Sequence, residues 1–232
     1  MSTTGRNPAA TAPPLVAGQR LGRAEFHERY EAMPPGVRAE LIGGVVYMPS
    51  PVGRWHGNAS VLAGTWVTIY QGRTPGTEAS GNVTTMLDDL GEPQPDALLR
   101  ILPEAGGQSR SEGSFIAGAP ELVVEVSRST RAVDLGPKRL DYDRAGVLEY
   151  VVVALEPNEV IWHARRDGRL ERIASDPDGL SRSVAFPGLW FDPAALLAGD
   201  VPGVLATLDR GLATPEHAAF VDRLAEARGD RS

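Results

Sequence analysis

The chain of 232 residues has no cysteine and very little lysine. Lysine and arginine together number 23, and since Lys138 is the single lysine, the other 22 are arginines. Without cysteine the protein can form no disulfide, no thiolate metal site and no cysteine nucleophile. An ammonium is more compact than a guanidinium and titrates more readily when it is buried. The one position that retains lysine is therefore predicted to have a specific role.

The chain also lacks a surplus of positive charge and a long apolar segment. Its formal net charge is −7, whereas nucleic-acid-binding domains usually carry a basic surplus that neutralises phosphates. A nuclease of this composition would depend on a local basic patch, on a metal ion or on a partner.

The longest apolar stretch, residues 147–155, is interrupted by Glu149 and is too short to cross a bilayer. The first 21 residues contain no apolar run typical of a signal peptide. We expect a cytoplasmic protein without membrane contact.

Composition divides the chain into three predicted parts. Residues 1–21, rich in Thr, Ala and Pro, predict a disordered arm. Residues 22–198 predict an α/β domain, with a mixed central sheet flanked by helices and with added β-hairpins. Residues 199–232 predict a C-terminal tail with one short helix, which is either a solvent-exposed appendage or a docking helix for a second subunit.

Local patterns predict the individual elements of the domain. Helices are predicted at residues 24–33, 55–71 and 193–198, and a hairpin is predicted around the Gly43-Gly44 turn. Strands are predicted at residues 77–86, 96–102, 121–126, 150–155, 160–164, 170–174 and 183–186. Residues 104–118 predict a mobile Gly/Ser-rich loop. The helix that carries Lys138 is predicted to start near Gly136, because Pro137 fits only a first helical turn.

Two carboxylates stand at the ends of predicted strands, before that lysine. Asp96 opens one strand, and Glu125 lies near the end of a strand that is almost continuously apolar. A buried carboxylate is costly unless it is paired or bound to a metal, and Mg²⁺ prefers oxygen ligands. Such an ion activates water for attack on a phosphoryl group. Lys138, predicted in a first helical turn despite the unfavourable macrodipole, would stabilise the developing negative charge.

Further side chains near these residues are candidates for the same site. Arg128, Arg131 and Arg139 cluster around the predicted active edge and are the candidates for phosphate contacts. Asp134, four residues before Lys138, is expected to pair with it or to help order it. Tyr142, one turn after Lys138, is expected to pack in the domain, and the alternative is that it reaches the cleft. The four tryptophans are expected to pack in the core or just below the surface rather than to stack on bases, and the four scattered histidines lack the spacing of zinc ligands.

Six short motifs follow one another along the chain: AELIGG at residues 39–44, QPD at 94–96, LVVEVS at 122–127, DLGPK at 134–138, AGVLEY at 145–150 and PGL at 187–189. In this order they resemble the Uma-two family of restriction-endonuclease-like proteins, within the PD-(D/E)XK phosphodiesterase superfamily. The resemblance runs from about residue 26 to residue 197. It implies a restriction-endonuclease-like fold and a metal-dependent endonuclease, with DNA as the expected substrate and Mg²⁺, or alternatively Mn²⁺, as the cofactor. We also expect a homo-oligomer, with a dimer favoured.

Carried over residue by residue, the resemblance assigns roles within the site. Asp96 and Glu125 would be the acidic pair of the motif, and Glu40 would complete the metal site. The position two residues beyond Glu125 holds Ser127 instead of lysine, and Lys138 resembles a lysine displaced to the following helix.

One further residue and one alternative follow from the resemblance. His56 stands where the family often carries histidine, which makes it a candidate for substrate binding, and the alternative is a surface or helix-capping histidine. Departures from the family pattern, such as Gly43 and Val45 at positions that are usually acidic, leave a second interpretation open. In that interpretation the chain is a catalytically silent member that keeps the nuclease fold as a binding or assembly module.

Overall fold

A computed structural model describes residues 12–49 and 51–229. The strands in this part of the chain are β1 (Glu40–Ile42), β2 (Val45–Tyr47), β3 (Thr77–Ser80), β4 (Thr85–Met86), β5 (Ala97–Ile101), β6 (Arg110–Glu112), β7 (Phe115–Ala117), β8 (Leu122–Ser127), β9 (Glu149–Leu155), β10 (Asn158–Arg166), β11 (Arg169–Ile173), β12 (Ser181–Arg182) and β13 (Trp190–Phe191). The α-helices are α1 (Arg23–Glu31), α2 (Arg54–Arg73), α3 (Arg131–Val133), α4 (Arg139–Ala145), α5 (Pro193–Ala198), α6 (Val201–Leu212) and α7 (Pro215–Gly229). A π-helical turn (Asp134–Lys138) joins α3 to α4.

Six strands form a mixed central sheet in the order β11-β10-β9-β8-β5-β3. Strands β8 and β9 are parallel, and every other neighbouring pair in this sheet is antiparallel. The helical segment from α3 to α4 provides the crossover that a parallel pair requires. Strands β8 and β9 are buried along almost their whole length, as their nearly continuous apolar sequences predict. The predicted mixed α/β architecture is confirmed.

Helix α2 packs in the main hydrophobic core of the domain. Its apolar side chains recur at helical spacing, and Trp66 and Tyr70 are fully buried. The Trp66 ring lies 4.7 Å from that of Phe191, and its Nε1 donates a hydrogen bond to the Trp190 carbonyl at 2.9 Å. A second cluster contains Tyr142 from α4 and strand residues of the central sheet. No helix among the described residues is long and apolar enough to cross a membrane.

Two predicted segments of the domain have a different structure from the one expected. The strand expected at residues 77–86 is divided between β3, at the edge of the central sheet, and β4, in a separate sheet ordered β4-β7-β6. The loop expected at residues 104–118 contains a 3₁₀ turn (Pro103–Ala105) and the β6–β7 hairpin. The hairpin was not predicted because all three residues of β6 are exposed, so that its sequence has no apolar alternation.

The edge strand expected at residues 183–186 is also absent from its predicted place. Pairing occurs instead between β12 and β13, on either side of that segment. Phe186 is nevertheless fully buried, which explains why an apolar strand pattern was seen there.

The C-terminal segment is part of the core, which corrects the expectation of an exposed appendage with one helix. Val204 and Leu208 from α6 and Phe220 from α7 belong to the main hydrophobic cluster. Helix α6 was missed because glycine lowers helix propensity. At Gly211, however, a Cβ atom would lie 2.2 Å from the carbonyl oxygen of Gly188. The glycine is therefore needed for close packing of α6 on the domain.

Part of the expected N-terminal arm is paired with the first hairpin. Gly18 N donates to Val46 O at 2.8 Å, Val46 N donates to Gln19 O at 2.8 Å, and Leu21 N donates to Gly44 O at 2.9 Å. The expectation of disorder is thus incorrect for residues 12–21. Residues 1–11 of the predicted arm lie outside the described residues.

Truncation of a core side chain on α6 tests the packing of the C-terminal helices. We expect Leu208→Ala to lower the free energy of unfolding by about 2–5 kcal/mol, because a buried leucine leaves a cavity when it is truncated. Leu208 is fully buried, whereas Val201 on the same helix is 45% exposed. Val201→Ala is the matched control and should change stability by about 0.5 kcal/mol or less. Denaturant unfolding measures both variants, and equal effects would contradict this packing.

Candidate active site

One cleft of about 1130 Å³ gathers most of the residues that the sequence singles out. It is lined by Glu40 from β1, His56 from α2, Asp96 at the start of β5, Glu125 from β8 and Lys138 at the end of the π-helical turn. Elements far apart in sequence therefore bring these side chains to a single place on the domain.

Pairing of β5 with β8 explains how the two carboxylates meet. The strands are antiparallel neighbours, with Ala97 opposite Val124, so that Asp96 lies beside the second half of β8. The Oδ2 atom of Asp96 accepts a hydrogen bond from the Val126 backbone N–H at 2.8 Å. Glu125 precedes Val126, and both carboxylates line the same cleft at one edge of the sheet.

The ammonium group of Lys138 lies among three carboxylates. Its Nζ atom is 3.0 Å from Glu125 Oε1, 3.1 Å from Glu40 Oε1 and 3.9 Å from Asp134 Oδ1. Lys138 is only 6% exposed, and a buried charge is tolerated only when it is paired. The lysine therefore forms the centre of a buried ion-pair network in the cleft.

Lys138 lies beside a kink between two helices. Gly136 adopts φ −104° and ψ −105°, a non-helical conformation that accommodates Pro137. Lys138 is the last residue of the turn that contains this kink, and α4 begins with the next residue. The backbone therefore agrees with the prediction of a helix that starts near Gly136 with Lys138 close to its first turn. The helix macrodipole opposes an ammonium at this end of α4, and the neighbouring carboxylates of Glu125 and Glu40 offset that effect.

The charges in the network shift the pKa values of its members. Burial raises the pKa of Glu125 well above its ordinary value, and Asp134, Asp96 and Glu40 raise it further, while Lys138 opposes them. Burial alone would lower the pKa of Lys138, but the charges of Glu125, Glu40 and Asp134 outweigh burial and raise it. The ammonium therefore stays charged. Three carboxylates surround this one ammonium and Asp96 lines the same cleft, so that the site attracts further positive charge.

Helix α2 holds the Asp96 carboxylate from the other side of the cleft. Ser60 Oγ donates to Asp96 Oδ1 at 3.0 Å, and His56 Nε2 lies 3.6 Å from Asp96 Oδ2. Ser60 Oγ is also 3.1 Å from His56 Nδ1. Sequence reasoning did not identify Ser60, although its place one turn after His56 is the signal that would have indicated it.

Two further contacts hold the other carboxylates. Tyr142, which is fully buried, donates from its hydroxyl to Glu125 Oε1 at 2.8 Å, and the Gln94 backbone N–H donates to Glu40 Oε1 at 2.7 Å. Tyr142 therefore both packs in the second hydrophobic cluster and reaches the site, as its spacing of four residues from Lys138 allows.

The three candidate arginines are not gathered at the cleft. Arg128 lines it and has a side chain that is 57% exposed, 3.5 Å from Glu156. Arg131 is instead paired with Glu159 on β10, and Arg139 lines a separate depression beside the β10–β11 hairpin. This corrects the expectation of a single cluster, because residues on successive turns of a helical segment need not face the same side.

The donor set of the cleft suits a hard divalent cation. Glu40, Asp96 and Glu125 offer carboxylate oxygens, the ligand type that Mg²⁺ and Mn²⁺ prefer. The ammonium of Lys138 lies within hydrogen-bond distance of Glu40 and Glu125 and occupies the space between them. Within residues 12–49 and 51–229, no three His, Asp or Glu side chains are already grouped closely enough to hold a metal ion.

Comparison with known proteins bears on the fold and the family. The model of the Uma2 family, described as "Putative restriction endonuclease", matches residues 23–196. A crystal structure of a "putative nuclease belonging to DUF820" from Anabaena variabilis is similar, with a TM-score of 0.55 and 16% sequence identity over 74% of this chain and 97% of that chain. At this identity the likeness concerns the fold alone. No curated protein matches the chain.

Proposed function

The chain belongs to the Uma2 family, and from this membership and the geometry of the cleft we propose that it is a metal-dependent endonuclease that hydrolyses phosphodiester bonds in DNA. One observation carries the proposal. Lys138 Nζ lies 3.0 Å from Glu125 and 3.1 Å from Glu40, in the same cleft as Asp96. These are the acidic and basic groups that phosphodiester hydrolysis requires.

In this proposal the carboxylates hold the metal ion. Asp96 and Glu125 would be the principal ligands, and Glu40 would be a further one. When bound, Mg²⁺ polarises a phosphoryl oxygen and lowers the pKa of a bound water. Mn²⁺ is expected to substitute for Mg²⁺, because both ions take carboxylate and water ligands.

The surrounding side chains fix these carboxylates before substrate binds. Val126 N–H and Ser60 hold Asp96, and the Tyr142 hydroxyl holds Glu125. Fixed donors of this kind remove the need for reorganisation during the reaction. Lys138 keeps its charge in the cleft, where it would stabilise the negative charge that develops on the phosphate.

Two arginines offer phosphate contacts in a protein of negative net charge. Arg38 and Arg128 both line the cleft, and both are exposed. Phosphate contacts from such residues position a nucleic acid without reading its sequence. They support DNA as the proposed substrate even though the chain as a whole is acidic.

Metal removal tests this proposal directly. The purified protein is expected to nick or cut supercoiled plasmid DNA in millimolar Mg²⁺ or Mn²⁺ and to lose this activity in EDTA, because the carboxylates alone cannot activate water. Agarose electrophoresis measures the cleavage, and a Glu125→Gln preparation made in parallel controls for contaminating nucleases. Absence of cleavage, together with no Mn²⁺ binding in calorimetry, would contradict the proposed endonuclease activity. It would favour the alternative of a catalytically silent binding or assembly module.

A further inference from the structure

Trp55 differs from the other tryptophans of this domain. It is 60% exposed, whereas Trp66 and Trp162 are almost completely buried. The expectation that all four tryptophans pack in the core or just below the surface is therefore incorrect for Trp55. Tryptophan is enriched at binding interfaces, where its ring offers a large apolar surface.

Trp55 is close in sequence to residues that line the cleft. It lies in the first turn of α2, between Gly53 and His56, both of which line the cleft. Met48 and Val52 line the cleft and are 38% and 61% exposed. We call Met48, Val52 and Trp55 the rim. Because two of these three residues line the cleft, a ligand of the rim lies next to the proposed active site.

A positive charge accompanies the exposed ring. The guanidinium carbon of Arg54 lies 4.4 Å from the centroid of the Trp55 ring, which is the geometry of a cation–π contact. Arg54 is itself exposed. The pair thus presents a flat apolar surface next to a charge that can contact phosphate, and Arg38 and Arg128 continue this charge into the cleft.

These features match the chemistry of an unpaired nucleotide. An aromatic side chain stacks on the face of a base, while neighbouring cations follow the phosphates. In a duplex the faces of the bases are covered by adjacent base pairs, so that an exposed indole reaches them only at ends, flaps and single-stranded segments. We propose that the rim binds an unpaired base through Trp55, and that the protein therefore prefers single-stranded or partly unpaired nucleic acid to a blunt duplex. This inference rests on the proposed function for the choice of nucleic acid as ligand.

Binding without cleavage tests the inference separately from the enzyme activity. The probes are a fluorescent oligothymidylate of about 16 nucleotides and a blunt hairpin duplex, both titrated in EDTA and followed by anisotropy. The parent protein is expected to bind the oligothymidylate more tightly than the duplex. Trp55→Ala should weaken oligothymidylate binding about tenfold and leave duplex binding nearly unchanged. Trp55→Phe should restore most of the loss, because it keeps an aromatic face.

Matched controls and opposite outcomes make the test decisive. Val61→Ala alters a side chain on the same helix that is 70% exposed, and it should bind both probes like the parent. Unchanged oligothymidylate binding by Trp55→Ala, or no binding of it by the parent, would overturn the inference. So would a change from dimer to monomer caused by Trp55→Ala in size-exclusion chromatography, since the rim would then be an interface with a second copy. A protein that binds but never cleaves in Mg²⁺ would refute the proposed function and leave the stacking inference intact.

Discussion

Glu125→Gln and Asp96→Asn are each expected to abolish cleavage and to weaken Mn²⁺ binding. Both substitutions keep the size and most hydrogen-bonding atoms of the side chain but remove the negative charge that a hard cation requires. A metal ion contributes several kcal/mol to transition-state stabilisation, and each 1.4 kcal/mol corresponds to about a factor of ten in rate. We therefore expect a loss of about 1000-fold or more in the cleavage rate, measured on plasmid DNA in Mg²⁺.

The fold is expected to survive these substitutions. In Glu125→Gln the amide oxygen can still accept the hydrogen bond from Tyr142, and Lys138 keeps Glu40 at 3.1 Å. Thermal unfolding checks this point for each variant. Glu171→Gln is the matched control, because Glu171 is exposed on β11 and lies outside the cleft. Parental cleavage by either site variant would contradict the assignment of that carboxylate to the metal.

Lys138→Met is expected to abolish cleavage and, at the same time, to tighten Mn²⁺ binding. The ammonium of the parent lies within about 3 Å of Glu125 and Glu40 and so competes with a divalent cation for two of its ligands. Two positive charges a few ångströms apart repel each other by a few kcal/mol at a partly buried site. Removal of the ammonium should therefore improve Mn²⁺ affinity about tenfold, while the lost electrostatic stabilisation lowers the rate about 100- to 1000-fold.

Calorimetry at mildly alkaline pH measures this affinity where protons compete least for the carboxylates. Lys138→Met leaves buried carboxylates without their cation and is expected to lose about 3–5 kcal/mol of stability. Mn²⁺ should restore part of this loss, because it binds only the folded state. Affinity no better than that of the parent would show that the ammonium does not compete with the metal.

Lys138→Arg provides a second variant that keeps the charge. Lys138 is only 6% exposed, so that this substitution affects folding as well as chemistry. A guanidinium in the same closely packed place should cost about 1–3 kcal/mol through overpacking. We still expect cleavage to be impaired, because the compact ammonium of lysine fits between two carboxylates and the larger, planar guanidinium of arginine does not.

The central sheet and its two carboxylates could be predicted because their signals are local and strong. Strand β8 is almost continuously apolar, so that Glu125 within it stood out as a residue that must be paired. Pro95 marked the start of an earlier candidate strand and placed Asp96 at that start. Lys138 stood out as the single lysine, and the family resemblance added Glu40, which no local pattern relates to Lys138.

The remaining features depend on contacts that a single sequence does not encode locally. Arg139 is the first residue of α4 and lines a depression outside the cleft, a direction that the predicted position of the helix does not determine. Ser60 and Tyr142 matter only because α2 and α4 pack beside the ends of β5 and β8. Helix α6 was missed because the glycine that permits its close packing, Gly211, also lowers its helix propensity.

A crystal structure of the protein soaked in Mn²⁺ tests the central claim most directly. We predict an anomalous difference peak in the cleft, within coordination distance of the Asp96 and Glu125 carboxylates. We also predict that the Nζ atom of Lys138 moves out of hydrogen-bond reach of Glu125. No peak in the cleft at millimolar Mn²⁺, with Lys138 still bridging Glu40 and Glu125, would contradict the account.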